Sequence, residues 1–157
     1  MEDKRTSAER RIEHSVSRAF RTAHLLTGSV QLAESAVLGA IDSCDWDGGT
    51  EDALFRYAVH AAVQDPAEDP RVSALNPAKS TESSLPVELQ AVLNLSQNVR
   101  RCFVLRVLAG WPRQTCARLL HLSAQEVDRF TRAALQRLAG FDPSSGHEKF
   151  RRGSVDF

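Results

Sequence analysis

Between Asp65 and Pro86 the chain carries Pro66, Pro70, Pro77 and Pro86, interleaved with Ser73, Ser80, Ser83, Ser84 and several acids. Proline fixes φ and removes a backbone donor, so no helix or strand interior passes through such a stretch. An extended, mobile linker is expected there, and it divides the 157 residues into two halves. The expected organisation is a unit over residues 1–64, a linker over 65–85, a second unit over 86–140 and a tail over 141–157. Alternating apolar and polar residues are scarce, whereas spacings of three and four recur, so both units read as all-α.

Composition narrows the rest. With 42% hydrophobic and 25% charged residues the chain is too apolar to be disordered throughout. No apolar run approaches the roughly 20 residues that span a bilayer. The charged start Met1-Glu2-Asp3-Lys4-Arg5 leads into no apolar signal stretch. A cytoplasmic protein without a membrane partner is expected. Cys44, Cys102 and Cys116 form an odd set without metal-ligand spacing, and the five histidines, at 14, 24, 60, 121 and 147, are scattered. Three reduced thiols are expected, with Cys102 and Cys116 as small buried hydrophobes. No nucleophile–base pair, carboxylate pair or phosphate-cradling glycine loop is suggested by the spacing, so the expectation is a non-enzyme with no cofactor and no metal.

In the first unit, Ile12, Val16, Ala19, Phe20, Ala23 and Leu26 predict an amphipathic helix over residues 8–27, ended by Gly28. A second helix is expected over 31–41, with Leu32, Ala33, Ala36, Val37 and Ala40 inward, and a third over 51–64. Three short amphipathic helices are most simply satisfied by packing on one another.

Start and stop signals fall closer together in the second unit. Residues 89–95 read as one or two helical turns. Residues 98–108 read as a helix with Val99, Cys102, Phe103 and Val107 on one face and Arg100, Arg101 and Arg106 largely elsewhere. Gly110-Trp111-Pro112 ends it, and a short helix follows over 113–121. Ser123-Ala124-Gln125-Glu126 is a capping box that opens a last helix, with Val127, Phe130, Ala134, Leu135 and Leu138 inward and Gln125, Arg129, Arg132 and Gln136 on another face. Gly140 is its stop. Two helices joined tightly, with small Ala117 allowing their close approach and arginines on the second, fit the helix-turn-helix plan for entering a major groove.

The zero net charge conceals segregation. Residues 1–41 carry six basic and five acidic groups, 42–88 three and ten, 89–140 eight and two, and the tail three of each. The basic block can attract phosphate backbones, which the acidic middle would repel. The opposite signs of 42–88 and 89–140 also permit the halves to associate in a closed arrangement, as an alternative to an extended one.

Residues 95–138 resemble the C-terminal domain of the extracytoplasmic-function sigma factors, promoter-recognition subunits of bacterial RNA polymerase. Leu95, Arg100, Phe103, Leu105, Arg106 and Gly110 fit the first helix and turn of that domain. Cys116-Ala117, Leu120, Leu122-Ser123, Val127, Ala134 and Leu138 fall in its helix-turn-helix register. Residues 20–41, including Ala23, Leu26, Gly28 and Ala33-Glu34, are similar to the helical pair that grips the polymerase clamp. Leu54-Phe55-Arg56-Tyr57-Ala58 with His60 is similar to the start of the strand-opening helix. The resemblance implies a two-domain helical protein whose partners are promoter DNA, core RNA polymerase and, as a further candidate, an anti-sigma protein. It implies base contacts from Gln125, Arg129 and Arg132, because guanidinium pairs with guanine acceptors and amide with adenine. It implies phosphate contacts from Arg113, Arg118 and Ser123, and polymerase contacts from Glu34, Ser35 and Leu38.

The chain also departs from the family. Ser35, Leu38 and Gly39 stand where polar clamp contacts are usual, and Gln64-Asp65-Pro66-Ala67-Glu68-Asp69 replaces a basic run after the strand-opening helix. An acidic run repels a melted strand. Asp128, Phe130 and Ala133 occupy positions often basic in the family, and His121 stands at the glycine of the helix turn. Three functions therefore stay open: a working sigma factor, a diverged sigma-like regulator without promoter melting, and a helical protein-interaction module.

Overall fold

A computed structural model of the chain describes residues 2–44, 51–64 and 85–140. All but the last residue of the expected linker, and the whole expected tail, lie outside the described residues. Among those described, the fold is all-helical, and no helix is long and apolar enough to cross a membrane.

Helix α1 spans Glu2–Thr27, α2 spans Val30–Ser43 and α3 spans Glu51–Gln64. Ala19, Ala23 and Leu26 recur at helical spacing on α1 and are fully buried. Gly28 ends α1 at φ 76°, a left-handed conformation that glycine adopts without steric cost. Its amide donates to His24 O at 2.8 Å, and the Thr27 hydroxyl donates to Ala23 O at 2.9 Å. Ser29 then caps α2, its hydroxyl accepting from the Leu32 amide. Ala33, Ala36, Val37 and Ala40 bury a narrow small-residue face, which lets α2 approach α1 and α3 closely, while Leu54, Phe55, Ala58, Val59 and Ala62 fill the space from α3. The Arg18 guanidinium lies 4.2 Å from the Phe55 ring centroid, closing one side of this bundle. Ile12, expected inward, is 46% exposed, because it lies N-terminal to the part of α1 that the partners cover.

In the second half, α4 spans Val87–Leu93, α5 spans Gln97–Phe103, α6 spans Arg113–Leu120 and α7 spans Ala124–Ala139. Helix α5 does not continue as regular α-helix to residue 108. Val104–Leu108 form a π turn, with the Ala109 amide donating to Val104 O at 2.8 Å. The extra residue in that turn rotates the apolar stripe. Val104 and Leu105 are therefore fully buried, while Val107, expected inward, is 45% exposed. Arg100, Arg101 and Arg106 are correspondingly half-buried rather than solvated. Leu135, expected on the inner stripe of α7, is 48% exposed, whereas Val127 and Ala134 are fully buried.

The buried side chains of both halves form one continuous cluster. α1 packs against α4, α5 and the π turn, and α3 packs against α6. The seam has its own contacts. The Arg100 guanidinium lies against Gly28, so close that an added Cβ would stand 3.2 Å from Nη2. The His60 and Trp111 rings meet with centroids 6.0 Å apart. The halves thus adopt a closed arrangement, and these seam contacts are made by aromatic and cationic groups.

Candidate nucleic-acid interface

Helices α6 and α7 are joined by three residues, and the turn has a defined chemistry. His121 adopts φ 54°, ψ 41°, and the Leu122 amide donates to Ala117 O at 2.9 Å, the six-to-one bond of a Schellman ending. Glycine is the usual occupant of that position, and histidine holds it here. Ser123 opens α7 with a complete capping box. Its hydroxyl accepts from the Glu126 amide at 3.2 Å, and its own amide donates to Glu126 Oε2 at 2.8 Å. The same hydroxyl donates to that carboxylate at 2.8 Å. These bonds favour the ionised form and hold the Glu126 carboxyl below its ordinary value.

The arrangement fixes where each expected contact residue stands. Gln125, Arg129, Arg132 and Gln136 recur at intervals of four, three and four along α7, and all four are exposed, forming one outward stripe. Val127 and Ala134 anchor the opposite face. The Arg129 guanidinium lies 5.0 Å from the Phe130 ring centroid, which supports its stem on the helix surface. The packing of the first half falls on α4, α5, the π turn and α6, so the stripe of α7 faces solvent.

The three expected phosphate contacts stand in different surroundings. Arg113 donates through Nη1 to Asp128 Oδ2 at 2.8 Å, an exposed ion pair between the start of α6 and the first turns of α7. Ser123 spends both hydroxyl roles inside the capping box. Arg118 lines a groove between the halves together with Arg56 and His60 of α3. Glu34, Ser35 and Leu38, the expected polymerase contacts, share the outward face of α2, where Leu38 is 62% exposed.

Cys102 and Cys116 are fully buried and unpaired by disulfide. Burial, reinforced by Cys116 and Glu126, pushes the Cys102 thiol up to about 12, and burial also raises Cys116. Both therefore pack in the core as protonated thiols. Arg56 and His60 belong to the stretch similar to the start of a strand-opening helix but are not among the expected contact residues, and they stand one helical turn apart on α3. Their pairing with Arg118 depends on how the halves dock, for which helical spacing gives no signal.

Compared with models of protein families, with curated proteins and with solved structures, the chain matches none.

Proposed function

We propose that the chain is a sigma-like transcription regulator that binds promoter DNA through α7 and engages bacterial RNA polymerase through the outward face of α2. The observation that carries this reading is the uncovered stripe of Gln125, Arg129, Arg132 and Gln136, held by a capped helix that packs on α6 across a tight turn. A duplex major groove admits a helix presented in this way, and two guanidiniums with two amides can address guanine and adenine edges. Glu34, Ser35 and Leu38 offer a mixed polar and apolar patch for a protein partner.

One observation favours the version of this reading without promoter melting. Helix α3, similar in sequence to a strand-opening helix, packs against α6, and Arg56 and His60 line the resulting groove. A helix so placed is unavailable to hold a melted strand until the halves part.

The test is a titration of the full chain, alone and with core polymerase, against a promoter-derived duplex over a salt series. Duplex binding that weakens linearly with log salt, and retention on polymerase, are the expected results. Arg129→Ala should relax sequence preference at one position by about 1–3 kcal/mol. An equal loss on every sequence would make Arg129 a phosphate contact. Absence of both duplex binding and polymerase association would leave the protein-interaction reading.

A further inference from the structure

Away from the α7 stripe, the halves enclose a groove of about 710 Å³. Arg56 and His60 stand on the α3 wall, and Arg118 with His121 on the wall made by α6 and its turn. Every ionisable group among the described residues lining the groove is basic. Docking of the halves thus gathers cationic side chains from two distant segments at one groove, a setting that favours an anion.

A second observation points to the same place. His121 is the non-glycine residue with positive φ among those described. A side chain in the left-handed region costs about 1–2 kcal/mol relative to glycine. Such strain persists where the surrounding structure holds it and clusters at ligand sites, and here the strained residue lines the groove.

We propose that this groove binds a small oligophosphate, with nucleoside polyphosphates and inorganic polyphosphate as the two sources of that chemistry. The groove falls within the ~300–1,000 Å³ range of small-ligand sites. Guanidinium forks match phosphate oxygens bidentately, and Arg56 and Arg118 bring them from opposite walls. Thr115 adds a hydroxyl, and Leu119 adds an apolar surface for an organic moiety. A ligand held this way bridges α3 to α6 and stabilises the closed arrangement by mass action. The α7 stripe takes no part, so the site stands independently of the DNA-binding reading.

The experiment is calorimetric titration and thermal melting of the full chain at fixed ionic strength with tripolyphosphate, ATP, GTP and adenosine. Saturable one-to-one binding of the phosphorylated probes, a raised melting temperature and no response to adenosine are expected. Tighter binding of a nucleotide than of tripolyphosphate would assign the source to nucleotides, and equal binding to polyphosphate. Arg56→Gln and Arg118→Gln should each weaken binding about tenfold, the loss of one charge-assisted contact. His121→Gly should raise the melting temperature of the unliganded chain while weakening binding, opposite signs that a purely structural role would not produce. No saturable binding of any phosphorylated probe overturns the proposal, as does full affinity in Arg56→Gln. Loss of duplex DNA affinity in Arg56→Gln without any oligophosphate binding also overturns it, by making the groove part of a DNA path. Arg129→Ala, outside the groove, should keep oligophosphate binding whatever it does to DNA.

Discussion

Arg100 and Arg106 of the α5 segment sit half-buried, their Nη1 atoms donating to Leu93 O at 3.1 Å and Trp111 O at 2.9 Å. Arg129 and Arg132 of α7 stand exposed on an outward stripe. All four belong to the same basic block of sequence, yet the first pair ties the end of α4 and the Trp111 loop to the α5 segment while the second is presented to solvent. Formal charge therefore overstates what a polyanion can meet. Burial pulls Arg100 below its ordinary value, with Arg101 adding to the effect, so its charge is held against a desolvation penalty and is justified only by its bond and its packing.

The sharpest way to break this contrast is Arg100→Ala. It removes the bond to Leu93 O, leaves that carbonyl short of a partner and empties the space against Gly28. A loss of about 2 kcal/mol is expected, with a fall of about 5 °C in melting temperature for a chain of this size. Arg100→Met should lose much less, since it keeps the stem and sheds the desolvation penalty. Equal losses would mean that the stem contributes little and that the guanidinium bond carries the effect. Arg129→Ala should leave the melting temperature within about 1 °C, because exposed substitutions shift stability by under ~0.5 kcal/mol. The same contrast sets the salt dependence of duplex binding. If Arg129 and Arg132 meet phosphates or bases while Arg113 stays on Asp128, the slope should be about −2, whereas the full basic block would give about −7.

A smaller, pH-gated effect comes from the seam. His24 is 4% exposed, and burial, then the nearby Arg100, lowers its imidazole from the ordinary 6.5. Below pH 6.5 the unfolded chain takes up a proton that the folded chain refuses until its lowered value is passed. The contribution of neutral His24 is therefore complete above that pH and is lost as pH falls through the window beneath it. Urea midpoints measured from pH 8 to 5 should decline on the acid side, and His24→Gln should flatten the decline. An identical pH profile in the variant would remove His24 from the account.

Local signals made much of the helical layout legible. Helix α3 occupies the expected residues 51–64, Gly28 and Gly110 take positive φ at the expected stops, and the Ser123–Glu126 box caps α7 as its spacing requires. Each of these is decided within one or two turns of chain. The π turn at residues 104–108 was not legible, because an i,i+5 bond is selected by the packing of Val104 and Leu105 rather than by local preference. Charge segregation left a closed arrangement open beside an extended one, but the contacts of the seam were hidden, since composition says nothing about how the faces of the halves match. The stripe of α7 could be read from periodicity alone, but the grouping of Arg118 with Arg56 and His60 could not, because it joins segments on either side of the linker.

The smallest expected effect concerns the border between the two kinds of arginine. The Arg113–Asp128 pair spans 2.8 Å, with the side chains 50% and 39% exposed. An exposed pair of this sort contributes about 0.2–1 kcal/mol to stability, so Asp128→Asn should be nearly silent in melting. It should be visible in binding. The substitution removes a negative charge from the helix proposed to meet DNA and leaves Arg113 free to exchange its partner for a phosphate. Duplex affinity should rise a few-fold at low salt, and the salt slope should steepen by about one as one more cation is engaged. Arg113→Gln in the same background should cancel both gains, since it removes the cation that Asp128 had held. Unchanged affinity and slope in Asp128→Asn would place Arg113 with the structural arginines and confine the interface to the stripe from Gln125 to Gln136.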